Sequence, residues 1–126
     1  GHGADFADTS RELVRRQRKR ALLVFLTNLR DEDSDELTLA TRMLSPRHLV
    51  MVANLREAVL DRLLVEPVTG VEQALRHAAA VDVVNRREQV QDRIRRGGAI
   101  TLDATPSHLP SAIVNQYLAI KRSGRL

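Results

Sequence analysis

Three acidic residues in the first third of the chain have a spacing that could serve metal binding. Asp31, Asp33 and Asp35 alternate as in the opening of a calcium loop, where carboxylate oxygens from every second residue converge on one ion. The pattern then fails, because Glu36 stands at the position of the turn glycine and Arg42 at that of the bidentate glutamate. Acids at a helix start are also favoured by the helix dipole alone. The spacing therefore favours a helix start over a calcium site.

A second candidate lies near the carboxyl end of the chain, between a predicted strand and a predicted helix. Asp103, Thr105 and Ser107 resemble the Asp-x-Ser-x-Ser metal motif of von Willebrand factor A-like domains. Capping explains the same residues, with Thr105 or Ser107 as the helix N-cap and Pro110 in the first turn. We therefore expect capping here rather than metal binding.

The remaining reactive side chains form no catalytic pattern. His48, His77 and His108 share no spacing typical of metal pairs, no serine stands in a nucleophile elbow, and no glycine-rich loop follows a strand to hold phosphate. The chain also contains no cysteine, which excludes thiol catalysis and favours a reducing compartment. These features predict a binding module without a cofactor rather than an enzyme.

An apolar run precedes the acidic residues and must position them. Residues 21–26 are all apolar and are followed by Thr27 and Asn28. The run is too short to cross a membrane and too continuous for a strand with one solvated face, so it predicts a strand covered on both faces of a parallel sheet. Ligands bind at the carboxyl ends of such strands. Thr27, Asn28, Asp31 and Asp33 are therefore the candidate partner-binding residues.

The rest of the chain alternates between helical and strand patterns. Helices are predicted at residues 5–19, 34–45, 57–64, 69–96 (continuous or broken near residue 81) and 107–122, and strands at 21–27, 48–54 and 99–103. Such alternation implies right-handed crossovers and a parallel sheet. We predict one three-layer α/β domain, with a parallel sheet of about three strands and flanking helices.

Charge suggests an alternative function. The 126 residues carry a net charge of +4, and basic residues cluster at 15–20 and 86–96. Either cluster could attract nucleic acid, but aromatic residues are only 2% of the chain and none is interleaved for base stacking. We expect solvated helix faces and keep a nucleic-acid-binding α/β domain as the alternative. We also expect a cytoplasmic location without membrane contact.

Four segments, RALLVFLTNL, RHLVMVANLRE, RHAAAVDVVNRREQV and AITLDATPSHLPSAIVNQYLAIKRSGRL, resemble a known bacterial family. This is a domain-of-unknown-function family with a von Willebrand factor A-like domain, typically encoded beside MoxR-type AAA+ ATPases. The resemblance covers nearly all of residues 4–126 and corresponds to the carboxyl-terminal half of that domain; we interpret residues 1–3 as a tag remnant. It implies half of a Rossmann-like sheet of about six strands and a MoxR-type ATPase as partner.

The resemblance also bears on metal binding and self-association. Thr27 and Asn28 match the family's metal rim, but Asn28 replaces an aspartate and the first metal motif is absent from these residues. We interpret the two either as a vestigial rim or as a strand-end pair that satisfies backbone groups of the next turn, and expect a divalent metal such as Mg²⁺ only in a full-length domain. Without the other half, Leu22, Val24 and Leu26 would lie on an unpaired strand edge. We therefore expect a homo-oligomer, formed by pairing across that edge or by exchange of the helix at residues 5–19.

Overall fold

A single parallel sheet organises the chain. The computed structural model describes residues 6, 8–12, 19–28 and 34–126. Its strands are β1 (Leu22–Thr27), β2 (Leu49–Leu55) and β3 (Ile100–Ala104), which lie in the order β1-β2-β3. The helices are α1 (Ser34–Leu44), α2 (Ala58–Val65), α3 (Val71–Arg96) and α4 (Leu109–Arg122). Both strand pairs are parallel, so the predicted α/β class with a parallel sheet flanked by helices is confirmed.

The larger core lies between the sheet and helices α1 and α3. Side chains alternate along a strand, so Phe25 of β1 and Val50 and Val52 of β2 share one face. They pack against apolar residues of both helices, of which Leu37 and Ile94 are fully buried. The ring of Phe6 adds an edge-on contact to Phe25, with the ring centroids 5.6 Å apart. This core covers one face of β1 and β2 and reaches Ala99, the residue before β3.

The opposite face of β2 and β3 is covered by α4. Ile120 of α4 packs against Leu49 and Met51 of β2, and Leu109 packs beside Ala53 and Ala104. These contacts place α4 over β2 and β3. At the amino end of the sheet Leu126 joins this core and contacts the cluster that includes Leu22.

One face of β1 is open toward its carboxyl end. Leu22 is half-buried, whereas Val24 is 38% exposed and Leu26 is 57% exposed. All three point to the face that α4 covers elsewhere, but α4 lies over the neighbouring strands and does not extend over the second half of β1. The prediction that β1 is covered on both faces is therefore wrong for this half of the strand.

Helix α3 is longer than the sheet it packs on. Its 26 residues are continuous, without a break near Val81, and span about 39 Å, whereas strands of five to seven residues span roughly 17–23 Å. The helix begins at Val71, directly after Gly70, so the predicted start at residue 69 is two residues too early. At its other end Gly98 has a φ of +111°, a left-handed conformation that glycine tolerates best.

The first predicted helix falls partly outside the described residues. Residues 8–12 are helical, and Ser10 Oγ donates a hydrogen bond of 2.7 Å to the carbonyl of Phe6. Lys19 lies outside any helix, so the predicted end at residue 19 is too late. None of the described helices is both long and apolar enough to cross a membrane.

Candidate functional site

A polar row crosses the carboxyl ends of the three strands. Thr27, Asn54 and Asp103 are paired in register, so their side chains point to the same face, toward α1 and α3. Asn54 is buried, and its Nδ2 donates a hydrogen bond of 3.2 Å to Oδ1 of Asp103. In parallel sheets this end is where ligands bind. The row is therefore the first candidate for a functional site.

Two arginines neutralise the carboxylate of this row. Asp103 is 28% exposed; its Oδ2 lies 3.4 Å from a guanidinium nitrogen of Arg56, and its Oδ1 lies 3.5 Å from one of Arg87. Arg56 is itself held by Asp61, with Nε 3.1 Å from Oδ1. The resulting cluster contains equal numbers of positive and negative groups, so it lacks an unpaired charge for catalysis or ion binding.

Arg87 also binds the main chain of the other two strands. Its Nη1 donates to the carbonyl of Asn28 at 3.3 Å, and its Nη2 donates to the carbonyl of Leu55 at 3.1 Å. The Arg87 side chain is only 14% exposed. One guanidinium from α3 thus contacts the carboxyl end of β1, β2 and β3 together, which makes this residue a structural clamp.

A small cleft opens beside the cluster. It has a volume of about 130 Å³ and is lined by Arg56, Asp61, Arg87 and Asp103 together with Leu64 of α2 and Val84 of α3. Four of its five charged side chains bind one another at 3.1–3.5 Å, and the fifth, Glu88, lies 3.0 Å from Arg95. A ligand there would have to break these ion pairs, so the geometry does not favour a small-molecule site.

The described residues at the strand ends do not fit a divalent cation. The positive guanidinium of Arg87 lies at Asp103, the carboxylate that would have to supply the negative charge. Asn28 contributes a carbonyl that already accepts from the same guanidinium. Within the described part of the chain, no group of three or more His, Asp or Glu residues is arranged to hold a metal.

The residues singled out in the sequence separate into two groups. Thr27 is buried at the end of β1, and Asn28 follows it with an exposed side chain, so both lie beside the Arg87 clamp. Asp31 and Asp33 lie outside the described residues. The sequence reasoning missed the part that Arg87 and Asn54 play, because the first was grouped with solvated arginines and the second was treated only as a strand residue.

The segment before α4 does not cap that helix with a hydroxyl. His108 is the N-cap residue and makes no side-chain capping bond, so the predicted N-caps Thr105 and Ser107 are wrong. Their hydroxyls lie instead at 2.9 Å and 3.2 Å from Nδ1 of His108. This exposed cluster contains neither the aspartate nor the buried setting that a catalytic triad requires.

The basic face of α3 is largely neutralised by nearby acids. Arg86 lies 2.8 Å from Asp82, and Arg95 lies 2.6 Å from Asp92. Arg93 reaches Asp35 of α1 at 3.3 Å. Residues 15, 16 and 18 of the other basic cluster lie outside the described residues. The described arginines therefore offer a poor electrostatic surface for nucleic acid.

The remaining candidate is the β1 surface, which we define as Leu22, Val24 and Leu26 with the outer edge of β1. Since β1 pairs only with β2 in the sheet of the described residues, its other side is an edge. An apolar edge strand of this kind is a template for pairing with another strand. Comparison of the chain with protein-family models, with curated proteins and with solved structures finds no match.

Proposed function

We propose that this chain is a non-enzymatic protein–protein interaction module that binds through the β1 surface. The observation that carries the proposal is the open edge and face of β1, where Val24 is 38% and Leu26 57% exposed. Parallel sheets are normally covered on both faces, so this surface calls for a covering partner. The ion pairs at the strand ends support a non-enzymatic function, since they leave the charged groups there already bound to one another.

The β1 surface offers two kinds of stabilisation to a partner. Burying the exposed fractions of Val24 and Leu26 contributes about 2 kcal/mol per copy, at the usual free energy for aliphatic side chains. A strand that adds to the edge also forms main-chain hydrogen bonds. Together these favour an extended segment with apolar residues on one face as the binding element.

The binding element belongs either to a second copy or to another protein. We propose self-association across the β1 surface, because identical apolar edges can pair about a two-fold axis. The resemblance to the von Willebrand factor A-like family supports a MoxR-type AAA+ ATPase as the protein partner of a full-length protein that contains this chain. It also supports the interpretation of this chain as the carboxyl-terminal half of such a domain.

We propose a cytoplasmic location, because the chain contains no cysteine.

Light scattering across a dilution series tests this proposal. We expect a mass above that of one chain at micromolar concentration, and we expect Val24→Lys to lower the mass because a charged side chain would be buried in the interface. Val65→Lys is the matched control, since Val65 is an exposed valine on α2, away from β1. The same mass for Val24→Lys and Val65→Lys would contradict self-association through β1.

A further inference from the structure

A second exposed surface lies on the amino-terminal half of α3, away from β1. Residues 71–79 contain no buried side chain, and Leu75 is 67% exposed. Helix α2 packs against one side of this half, where the carbonyl of Leu63 lies 3.4 Å from Nδ1 of His77. The side opposite α2 therefore remains available for contact with another molecule.

Six exposed residues form one stripe along this side of the helix. At 100° per residue, they all fall within about 60° of a line through Ala79. We call them the α3 stripe, and they are Glu72, Leu75, Arg76, Ala79, Asp82 and Arg86, all of them exposed.

The charges of the stripe are self-complementary. Arg76 and Asp82 lie three residues before and after Ala79 and have opposite charges. Glu72 and Arg86 lie seven residues before and after Ala79 and also have opposite charges. A two-fold axis through Ala79 would therefore bring Glu72 of one copy opposite Arg86 of the other, and Arg76 opposite Asp82. A stripe with this antisymmetry matches an antiparallel copy of itself better than an unrelated surface.

We propose that the α3 stripe pairs with the α3 stripe of a second copy, antiparallel, about a two-fold axis through Ala79. The small side chain at the axis permits a close approach of the two helices. Leu75 of each copy would lie opposite Val83 of the other, four residues on either side of Ala79, and would lose its solvent exposure there. In the monomer Arg86 lies 2.8 Å from Asp82, and Arg76 lies 3.2 Å from Glu66, so both arginines are already held at the surface.

Cross-linking at the axis tests this geometry directly. The chain has no cysteine, so Ala79→Cys introduces a single thiol. Packed helices have axes about 8–10 Å apart, and the Cα atoms of each lie about 2.3 Å from its axis. The two Cα atoms that face each other at the two-fold axis would therefore be roughly 3.4–5.4 Å apart, a range that overlaps the Cα separation in disulfides. Ala119→Cys on the exposed side of α4 is the matched control. We expect disulfide-linked dimers of Ala79→Cys to form at least tenfold faster than those of Ala119→Cys. The pairing would hold the two thiols of Ala79→Cys together, whereas those of Ala119→Cys meet only by random collision. Equal rates for the two variants would overturn the proposal.

A charge exchange provides an independent test, measured by sedimentation of the full chain and again in the Val24→Lys variant. Arg86→Glu and Glu72→Arg each place like charges opposite one another at two symmetry-related sites, and we expect each to weaken dimer formation by roughly tenfold. The double variant restores both attractions and should regain most of the lost affinity. Failure of the single variants to weaken the dimer, or of the double variant to recover, would refute the α3 contact. Because Val24→Lys removes only the β1 contact, failure of one proposal is distinguishable from failure of the other.

Discussion

Replacing Arg87 with methionine tests whether one guanidinium holds the carboxyl ends of the three strands together. Arg87→Met keeps most of the aliphatic length of the side chain but removes the hydrogen bonds to the carbonyls of Asn28 and Leu55, at 3.3 Å and 3.1 Å. It also removes the 3.5 Å ion pair with Asp103. Because the side chain is only 14% exposed, water replaces these contacts poorly.

The size of the effect follows from these contacts. A hydrogen bond from a charged group contributes about 1.5–3 kcal/mol, and both distances lie at the long end of the range, so we take the lower value for each. Asp103 keeps Arg56 and Asn54 as partners, which limits the cost of losing the ion pair. We expect Arg87→Met to lower the free energy of unfolding by about 3 kcal/mol, a large part of the 5–15 kcal/mol typical of a domain.

Urea unfolding followed by circular dichroism measures this change, and the neighbouring arginine supplies the control. Arg86 pairs with Asp82 on the exposed side of α3, with both side chains more than half exposed, so at protein concentrations too low for the α3 stripe to pair, Arg86→Met should change the free energy of unfolding by no more than about 0.5 kcal/mol. Arg87→Lys should lower the free energy of unfolding by an intermediate amount. Lysine keeps the positive charge, but its ammonium group lacks the planar, forked guanidinium that contacts all three strand ends. Equal unfolding midpoints for Arg87→Met and Arg86→Met would refute the clamp.

Two further substitutions probe the ends of the strands and helices. Gly98→Ala should destabilise the protein by about 2 kcal/mol or more in the same assay, because the backbone is left-handed there and the new Cβ would lie 2.7 Å from Oγ of Ser45. Gly124→Ala, at another positive φ but with no atom within 4 Å, should cost less, and an equal loss would contradict the steric part of the argument. His48→Ala should speed amide exchange at Ala21, since Nδ1 of the buried imidazole accepts the Ala21 N–H at 3.1 Å. Unchanged exchange at that amide would show that the imidazole does not protect it.

The order of the strands and helices could be predicted because each segment carries a local pattern. The apolar run at residues 21–26, together with helices that alternate with strands, leaves few arrangements other than a parallel sheet. The observed strands begin within one residue of the predicted positions. The open face of β1 could not be predicted in this way. Local sequence does not specify that α4 lies over β2 and β3, so Val24 and Leu26 look the same as residues that a helix covers.

The position of Arg87 shows a signal that was available in the sequence. Ala80, Val84, Arg87, Gln91 and Ile94 follow one another at intervals of four and three residues, the spacing of one face of a helix. Ala80, Gln91 and Ile94 are buried, so an arginine in the same row is expected to reach a buried acceptor. The neighbouring arginines of the 86–96 cluster fall on other faces, which is why charge clustering alone gave the wrong environment for this one.

The two proposed contacts follow from how the chain distributes its polar and apolar groups. At the strand ends, where an α/β enzyme would present unpaired polar groups to a substrate, the charged side chains of Arg56, Arg87 and Asp103 bind each other and the main chain. Large apolar side chains are exposed at several other places, among them Val24 and Leu26 on β1 and Leu75 on the first half of α3. Charged groups that are paired internally, together with apolar groups that are exposed, favour binding of macromolecules over chemistry on small ones. A dimer contact on α3 would leave β1 accessible for a further strand, so one chain could assemble with its own copy and with a partner at the same time.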